Sequence, residues 1–217
     1  MKKAVIFDLD GTLTDSLESI QYCANYAIGT CGFEPIPLEK YKLFVGDGAD
    51  TLIKRCLAYS GDVEGEYFEK AFLQYRIFFE KNCMYHVKPY DGIQETLEAL
   101  KAAGVKLAVF SNKPHDEAIY VVETIFGKGY FDEILGQSDE RPKKPSPDGV
   151  FYLAEKLGVD MNDIAYIGDT STDMMTGKGA GARTIGVLWG FRDREELEKH
   201  KADVIIDKPT DILSQVL

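Results

Sequence analysis

Short runs of β-branched and aromatic residues recur along the chain at Lys3–Leu9, Val105–Phe110, Ile164–Ile167, Thr184–Leu188 and Val204–Ile206. Each is apolar with little alternation, the pattern of strands covered on both faces. Helical patterns lie between them: Gly92–Ala103, Glu117–Phe126, Gly149–Leu157 and Thr172–Lys178. Strands alternating with helices of this length predict a doubly wound parallel α/β sheet built from right-handed βαβ units. Ligands of such sheets bind beyond the carboxyl ends of the strands.

One stretch breaks the alternation. From about Ser16 to Val87 there is helical periodicity and no convincing strand. Phe68, Phe72, Tyr75 and Phe79 fall on one helix face, most simply as core. The expected organisation is a catalytic core of residues 1–14 and 89–217, with a small helical domain, residues 15–88, inserted after the first strand. That insert is placed to act as a lid, with hinges at Thr14–Asp15 and around Lys88-Pro89-Tyr90.

Composition narrows the partners. With 217 residues, 45% of them hydrophobic, the chain can bury a sizeable core. A formal net charge of -11 argues against a nucleic-acid backbone or an anionic membrane, both of which reward a basic surface. An anionic substrate must then be drawn in by local cations and a metal. The start of the chain lacks a signal h-region, and no stretch approaches the roughly 20 apolar residues of a membrane span. Cys23, Cys31, Cys56 and Cys83 include no CxxC pair, so free thiols in a reducing cytoplasm are expected.

The candidate chemistry clusters at strand ends. Asp8 and Asp10, in Asp8-Leu9-Asp10-Gly11-Thr12-Leu13-Thr14-Asp15, sit at i and i+2 and face broadly the same way. Two carboxylates so close need a cation or a proton between them. Gly11 lets the backbone turn out of the strand. A second acidic strand end, Gly168-Asp169-Thr170-Ser171-Thr172-Asp173, follows Ile164–Ile167. Asp169 or Ser171 alone could be an ordinary helix cap, but beside the Asp8 cluster the pair makes a site for a hard cation, which suits Mg²⁺. Ser111-Asn112-Lys113 follows the Val105–Phe110 strand, and its hydroxyl and amide could hold phosphate oxygens or simply form a polar turn. Arg141-Pro142-Lys143-Lys144-Pro145 could aim one lysine or be a solvated basic loop. Charge ties these together: Asp8, Asp10, Asp169 and Asp173 with a bound phosphate demand a divalent metal and a lysine.

The ordered set DLDGTLTDS, SNK, KPSP and GDTSTDM resembles the haloacid dehalogenase superfamily, in its phosphoglycolate phosphatase-like branch. Val45-Gly46-Asp47-Gly48-Ala49-Asp50 and Val187-Leu188-Trp189-Gly190 extend the likeness. The resemblance implies a Rossmann-like core with a helical cap and a cytoplasmic Mg²⁺-dependent phosphatase acting on a small phosphorylated metabolite, as monomer or homodimer. It implies that Asp8 is the nucleophile, forming an aspartyl-phosphate, and Asp10 the general acid and then base. Ser111 would hold a phosphate oxygen, supported by Asn112, with Gly11 and Thr12, and Gly46, Asp47 and Gly48 of the cap, also at the substrate. Lys144, in preference to Lys143, would neutralise the charge. Asp8, Asp169 and the Asp10 backbone carbonyl would ligate the metal, with Asp173 in direct contact or one layer out. Asp10 must carry a proton when an alcohol leaves, which neighbouring carboxylates would favour.

Substrate choice is less legible. A β-phosphoglucomutase-like isomerase shares this core, but its Gly-x-Ser-Arg cap element is replaced here by Gly46-Asp47-Gly48-Ala49, and an unpaired acid there would repel a second phosphate. Hydrolysis is favoured on that ground. A pyrophosphatase or nucleotidase remains open, with Lys42, Lys54 and Arg55 as cap cations that are equally consistent with solvated helix charges. A silent binding protein is disfavoured because every catalytic position is filled. Ser111 with His115 lacks a nucleophile elbow, and His86, His115 and His200 have no metal-ligand spacing.

Overall fold

The computed structural model describes all residues, 1–217. Contacts divide the chain into two compact units, Met1–Asp15 with Pro89–Leu217, and Ser16–Lys88. In chain order the elements are β1 (Ala4–Phe7), β2 (Thr14–Asp15), α1 (Leu17–Gly29), α2 (Leu38–Phe44), α3 (Ala49–Tyr59), α4 (Phe68–Asn82), β3 (Lys88–Pro89), α5 (Ile93–Ala102), β4 (Lys106–Pro114), α6 (His115–Phe126), β5 (Glu133–Gln137), α7 (Asp148–Leu157), β6 (Ile164–Gly168), α8 (Ser171–Ala180), β7 (Arg183–Val187), α9 (Arg194–Lys199), β8 (Val204–Ile206) and α10 (Asp211–Val216).

The larger unit is a six-stranded sheet in the order β5-β4-β1-β6-β7-β8. Every pairing is parallel, as the alternating pattern predicts. β1 lies at the centre with all four residues buried, which explains its unbroken apolar run. One side of the sheet is filled by Ile6, Phe110, Val150, Leu153, Leu157 and Tyr166, which lock α7 onto β4, β1 and β6. The order reverses direction at β1, between β4 and β6, so the carboxyl ends of these three strands form the ligand edge.

Three features differ from the sequence expectation. β5 carries no apolar run because it is an edge strand paired only with β4, and its first two residues and its last are half-exposed. β4 does not stop at Phe110 but continues through Ser111, Asn112 and Lys113 to Pro114, with a register shift against β5. The short helices α9 and α10 are too brief to establish a period. The two connecting segments, β2 and β3, pair as a small ribbon.

The smaller unit is wholly helical. Tyr75 and Phe79 on α4 are buried and stacked with ring centroids 5.1 Å apart, so the aromatic stripe is core at that end. Phe68 and Phe72 stack likewise but remain half-exposed. No helix is long and apolar enough to cross a membrane, and all four cysteines are free.

Close packing of α7 on the sheet gives a test. A Cβ at Gly149 would lie 2.2 Å from the Phe110 ring. Gly149→Val should therefore destabilise the protein by about 1–3 kcal/mol, read as a lower urea midpoint, whereas an unchanged midpoint would contradict this contact.

Candidate active site

Asp8 follows β1, and its backbone N–H donates to the Ile167 carbonyl on β6. The chain then turns sharply: Gly11 has φ +90, and the N–H groups of Thr12, Leu13 and Thr14 converge on the Leu9 carbonyl. A Cβ on Gly11 would fall 2.4 Å from Asp169 Oδ2. Glycine is needed for the backbone angle and for the room. Gly190 faces the same squeeze from the other side, since its Cβ would lie 2.3 Å from the Gly11 carbonyl oxygen. These two glycines let the turns after β1 and β7 close around Asp169.

Asp169 is completely buried. Thr12 Oγ1 donates to its Oδ1 at 3.1 Å and the Phe191 N–H to its Oδ2 at 2.8 Å. It is not the helix cap. That position belongs to Thr170, whose N–H and hydroxyl both donate to Asp173 Oδ2, at 3.1 and 2.7 Å. Asp173 Oδ1 accepts from Lys144 Nζ at 2.7 Å and from the Tyr166 hydroxyl at 3.4 Å. A carboxylate has about four lone-pair sites, and these donors take all of them.

Lys144 is the centre of this arrangement. Its ammonium reaches Asp8 Oδ1 at 2.8 Å as well as Asp173, and only 2% of its side chain is exposed. Asn112 brings it there: Asn112 Nδ2 donates to the Lys144 carbonyl at 3.1 Å, and the Lys144 N–H donates to Asn112 Oδ1 at 2.8 Å. The Asn112 amide thus grips the basic loop. Burial alone would pull the Lys144 ammonium down, but Asp173 and Asp8 outweigh it and hold its pKa well above the usual lysine range.

Asp8, Asp169 and Asp173 each offer an oxygen within 4.8 Å of the others, and all three are buried. Burial, then Asp173, drives the Asp8 carboxyl well above its ordinary range, with Lys144 pulling the other way. Burial and Asp173 likewise lift Asp169 to about 7, against the Phe191 N–H. Three buried carboxylates with one lysine leave an excess of negative charge, and their hard oxygens suit a small divalent cation.

Asp10 is not part of that trio. Its carboxylate accepts from Lys113 Nζ at 3.0 and 3.3 Å. The sequence placed Asp10 among carboxylates; the structure gives it a lysine. Ser111 is buried, and its Oγ accepts from the Lys113 N–H at 3.1 Å.

Gly46, Asp47 and Gly48 lie in the turn between α2 and α3 of the helical unit. Asp47 is not an unpaired acid: Arg55 Nη2 lies 2.6 Å from it, while Arg55 Nη1 donates to the Phe44 carbonyl at 2.9 Å. Arg55 neutralises the acid, so Asp47 is not the repulsive element against a second phosphate that the sequence suggested. Lys54 lies over the Phe68 ring at 4.8 Å, and Lys42 is exposed.

The sequence motifs include Lys113 and the Val187–Gly190 segment but give neither a role. Trp189 Nε1 donates to the Thr12 carbonyl at 2.9 Å, tying that loop to the first motif. The signal was present as the chain's single tryptophan beside a glycine at a strand end. A Gly190→Ala variant should lower turnover at least about tenfold and cost about 1–3 kcal/mol, since overpacking here moves Gly11 or Asp169. Wild-type kinetics with an unchanged melting curve would contradict that squeeze.

Comparison with known proteins agrees with this geometry. Residues 5–187 match the family profile described as haloacid dehalogenase-like hydrolase. The chain is 34% identical over 202 residues to a phosphoglycolate phosphatase of Neisseria meningitidis, covering 92% of this chain and 86% of that protein. It is 33% identical over 211 residues to a phosphoglycolate phosphatase of Aquifex aeolicus, covering 97% and 95%. A crystal structure of a predicted phosphoglycolate phosphatase from Haemophilus somnus superposes with a TM-score of 0.91 at 28% identity, covering 100% of this chain and 98% of that one. With its acidic strand ends, buried lysine and parallel sheet in the family's order, the chain belongs to the haloacid dehalogenase-like hydrolase family.

Proposed function

We propose that this hydrolase is a Mg²⁺-dependent phosphatase of a small phosphomonoester, with phosphoglycolate phosphatase-like activity, acting through an aspartyl-phosphate on Asp8. The observation that carries this reading is the buried Lys144 bridge between Asp8 and Asp173, beside Asp169. The names of the relatives support the substrate class.

Asp8, Asp169 and the Asp10 backbone carbonyl would hold the ion. Asp173 is better read as the anchor of Lys144, because its lone pairs are already taken. When bound, Mg²⁺ supplies charge neutralisation and orientation for the phosphoryl oxygens.

The residues then divide the work. Lys144 fixes one Asp8 oxygen, so the other is directed at phosphorus. Attack forms the Asp8 O–P bond as the bond to the leaving oxygen breaks, and Asp10 gives that oxygen its proton. Asp10 next takes a proton from water attacking the aspartyl-phosphate, releasing inorganic phosphate and restoring Asp8. Ser111 and the turn at Gly11 and Thr12 would hold phosphoryl oxygens, and Lys144 offsets their charge throughout.

The direct test is Mg²⁺-dependent phosphate release from phosphoglycolate, pyrophosphate, nucleoside monophosphates and sugar phosphates, ranked by kcat/KM. Free phosphate, as against an isomerised sugar phosphate, separates hydrolase from mutase. Asp8→Ala should abolish release. Asp10→Asn should cut kcat by about 10²-fold or more yet keep Mg²⁺ affinity, followed by Trp189 fluorescence. Near-normal turnover in either variant removes that residue from the scheme.

The raised Asp169 pKa fixes a second outcome. A carboxyl lifted from 3.8 to about 7 on folding makes the native state bind more protons than the unfolded chain between those values. Its contribution to stability is full below about pH 4 and is lost as pH climbs through about 7 without metal. Metal binding requires the ionised form and reverses the loss. The Mg²⁺-induced rise in Tm should therefore be larger at pH 8 than at pH 5.5; an equal rise at both would place the metal away from Asp169.

A further inference from the structure

We propose that Glu196 is a positioning residue for the cation site: it fixes Asp169 from two sides, through the Ser171 N–H and through Arg192, and thereby tightens the hold on a divalent ion. This rests on the reading of Asp8 and Asp169 as metal ligands given above.

Asp169 lies between the end of β6 at Gly168 and the start of α8 at Ser171. Thr12 Oγ1 and the Phe191 N–H hold its oxygens, but they aim the carboxylate only if the Asp169 backbone and the Phe191 peptide both stay in place. Glu196 meets both requirements. Its Oε1 accepts from the Ser171 N–H at 2.9 Å, and its Oε2 lies 3.0 Å from Nε of Arg192, the residue next to Phe191. One carboxylate therefore ties the chain behind Asp169 to the chain that supplies its donor. The Arg192 side chain is 9% exposed and that of Glu196 26%, so water and salt screen this pair less than a surface one.

The local sequence would send Glu196 elsewhere. Asp193 is the N-cap of α9, and its side chain accepts from the Glu196 N–H at 3.0 Å. In such a pattern the glutamate ordinarily folds back on the N-cap N–H of its own helix; here its two oxygens engage Ser171 and Arg192 instead. The Ser171 N–H is one of the donors that the first turn of α8 cannot pair, and a negative charge there also suits the helix dipole. Leu197, fully buried, seats α9 against β7, where a Cβ at Gly186 would lie 3.0 Å from its Cδ1. A helix of six residues, too short to persist alone, thus sets one acid against the turn that carries Asp169. Groups that orient a metal ligand from behind typically change metal affinity by about 10–100-fold.

Isothermal titration calorimetry of the full chain with Mg²⁺ tests this. Glu196→Ala should weaken Mg²⁺ binding about 10–100-fold. Glu196→Gln keeps an acceptor for the Ser171 N–H but loses the charge facing Arg192, and should fall between that variant and wild type. Glu198→Ala is the control: it removes the same charge from the same helix, where Glu198 is 62% exposed, and should leave the affinity unchanged. At saturating Mg²⁺ the Glu196→Ala enzyme should recover most of its kcat with an unaltered substrate KM, because its defect is one of metal occupancy. Melting curves monitor folding, and the glutamine variant is read alone if the alanine variant does not fold. Wild-type Mg²⁺ affinity in the folded Glu196 variants, or an equal loss in Glu198→Ala, would overturn the proposal and leave Glu196 as a structural tie between α8 and α9. A folded wild type with neither Mg²⁺ binding heat nor a Mg²⁺-induced rise in Tm would instead remove the cation reading itself.

Discussion

The site depends on one electrostatic problem and its solution. Three carboxylates from two strand ends are buried within 4.8 Å of one another, and their repulsion would force them apart or protonate them. Lys144 meets two of them at 2.7 and 2.8 Å, and its own burial is tolerable only because they are there. The hydrogen bonds between Asn112 and the Lys144 backbone hold the lysine in position, so the arrangement needs β1, β4, the basic loop and β6 at once. The remaining negative charge is what suits the site to a cation.

Steric permission is the second requirement. The turns after β1, β6 and β7 approach so closely that a methyl group at Gly11, Gly168 or Gly190 would sit 2.2–2.4 Å from a neighbouring atom. That closeness aims Asp169 at Asp8 without leaving its oxygens bare, since Thr12 and the Phe191 N–H each supply a donor. The parallel sheet makes this possible because it delivers every one of these turns to the same edge. Fold and chemistry are linked through backbone proximity before any side chain is considered.

The division of labour between the lysines gives the site two halves. Lys144 belongs to Asp8 and Asp173, and Lys113 to Asp10. Arg55 shows similar economy in the helical unit, where it cancels Asp47 and holds the end of α2 through the Phe44 carbonyl. A formal net charge of -11 therefore coexists with an interior that places its few cations at particular carboxylates.

The sequence by itself determined the α/β core, five of the six strands of its sheet and the strand-end placement of Asp8, Asp10 and Asp169, because a strand buried on both faces must be an apolar run and a polar strand end must break it. Periodicity could not find β5, an edge strand half-open to solvent, nor α9 and α10, which are too short to repeat. Only the tertiary structure decided which carboxylate each lysine serves, why Asp173 is an anchor for Lys144, and that Asp47 is neutralised. The reason is physical: patterning records burial, a property of each residue with its local neighbours, whereas ion pairs such as Lys113–Asp10 join residues 103 positions apart and exist only once the strands have been laid side by side.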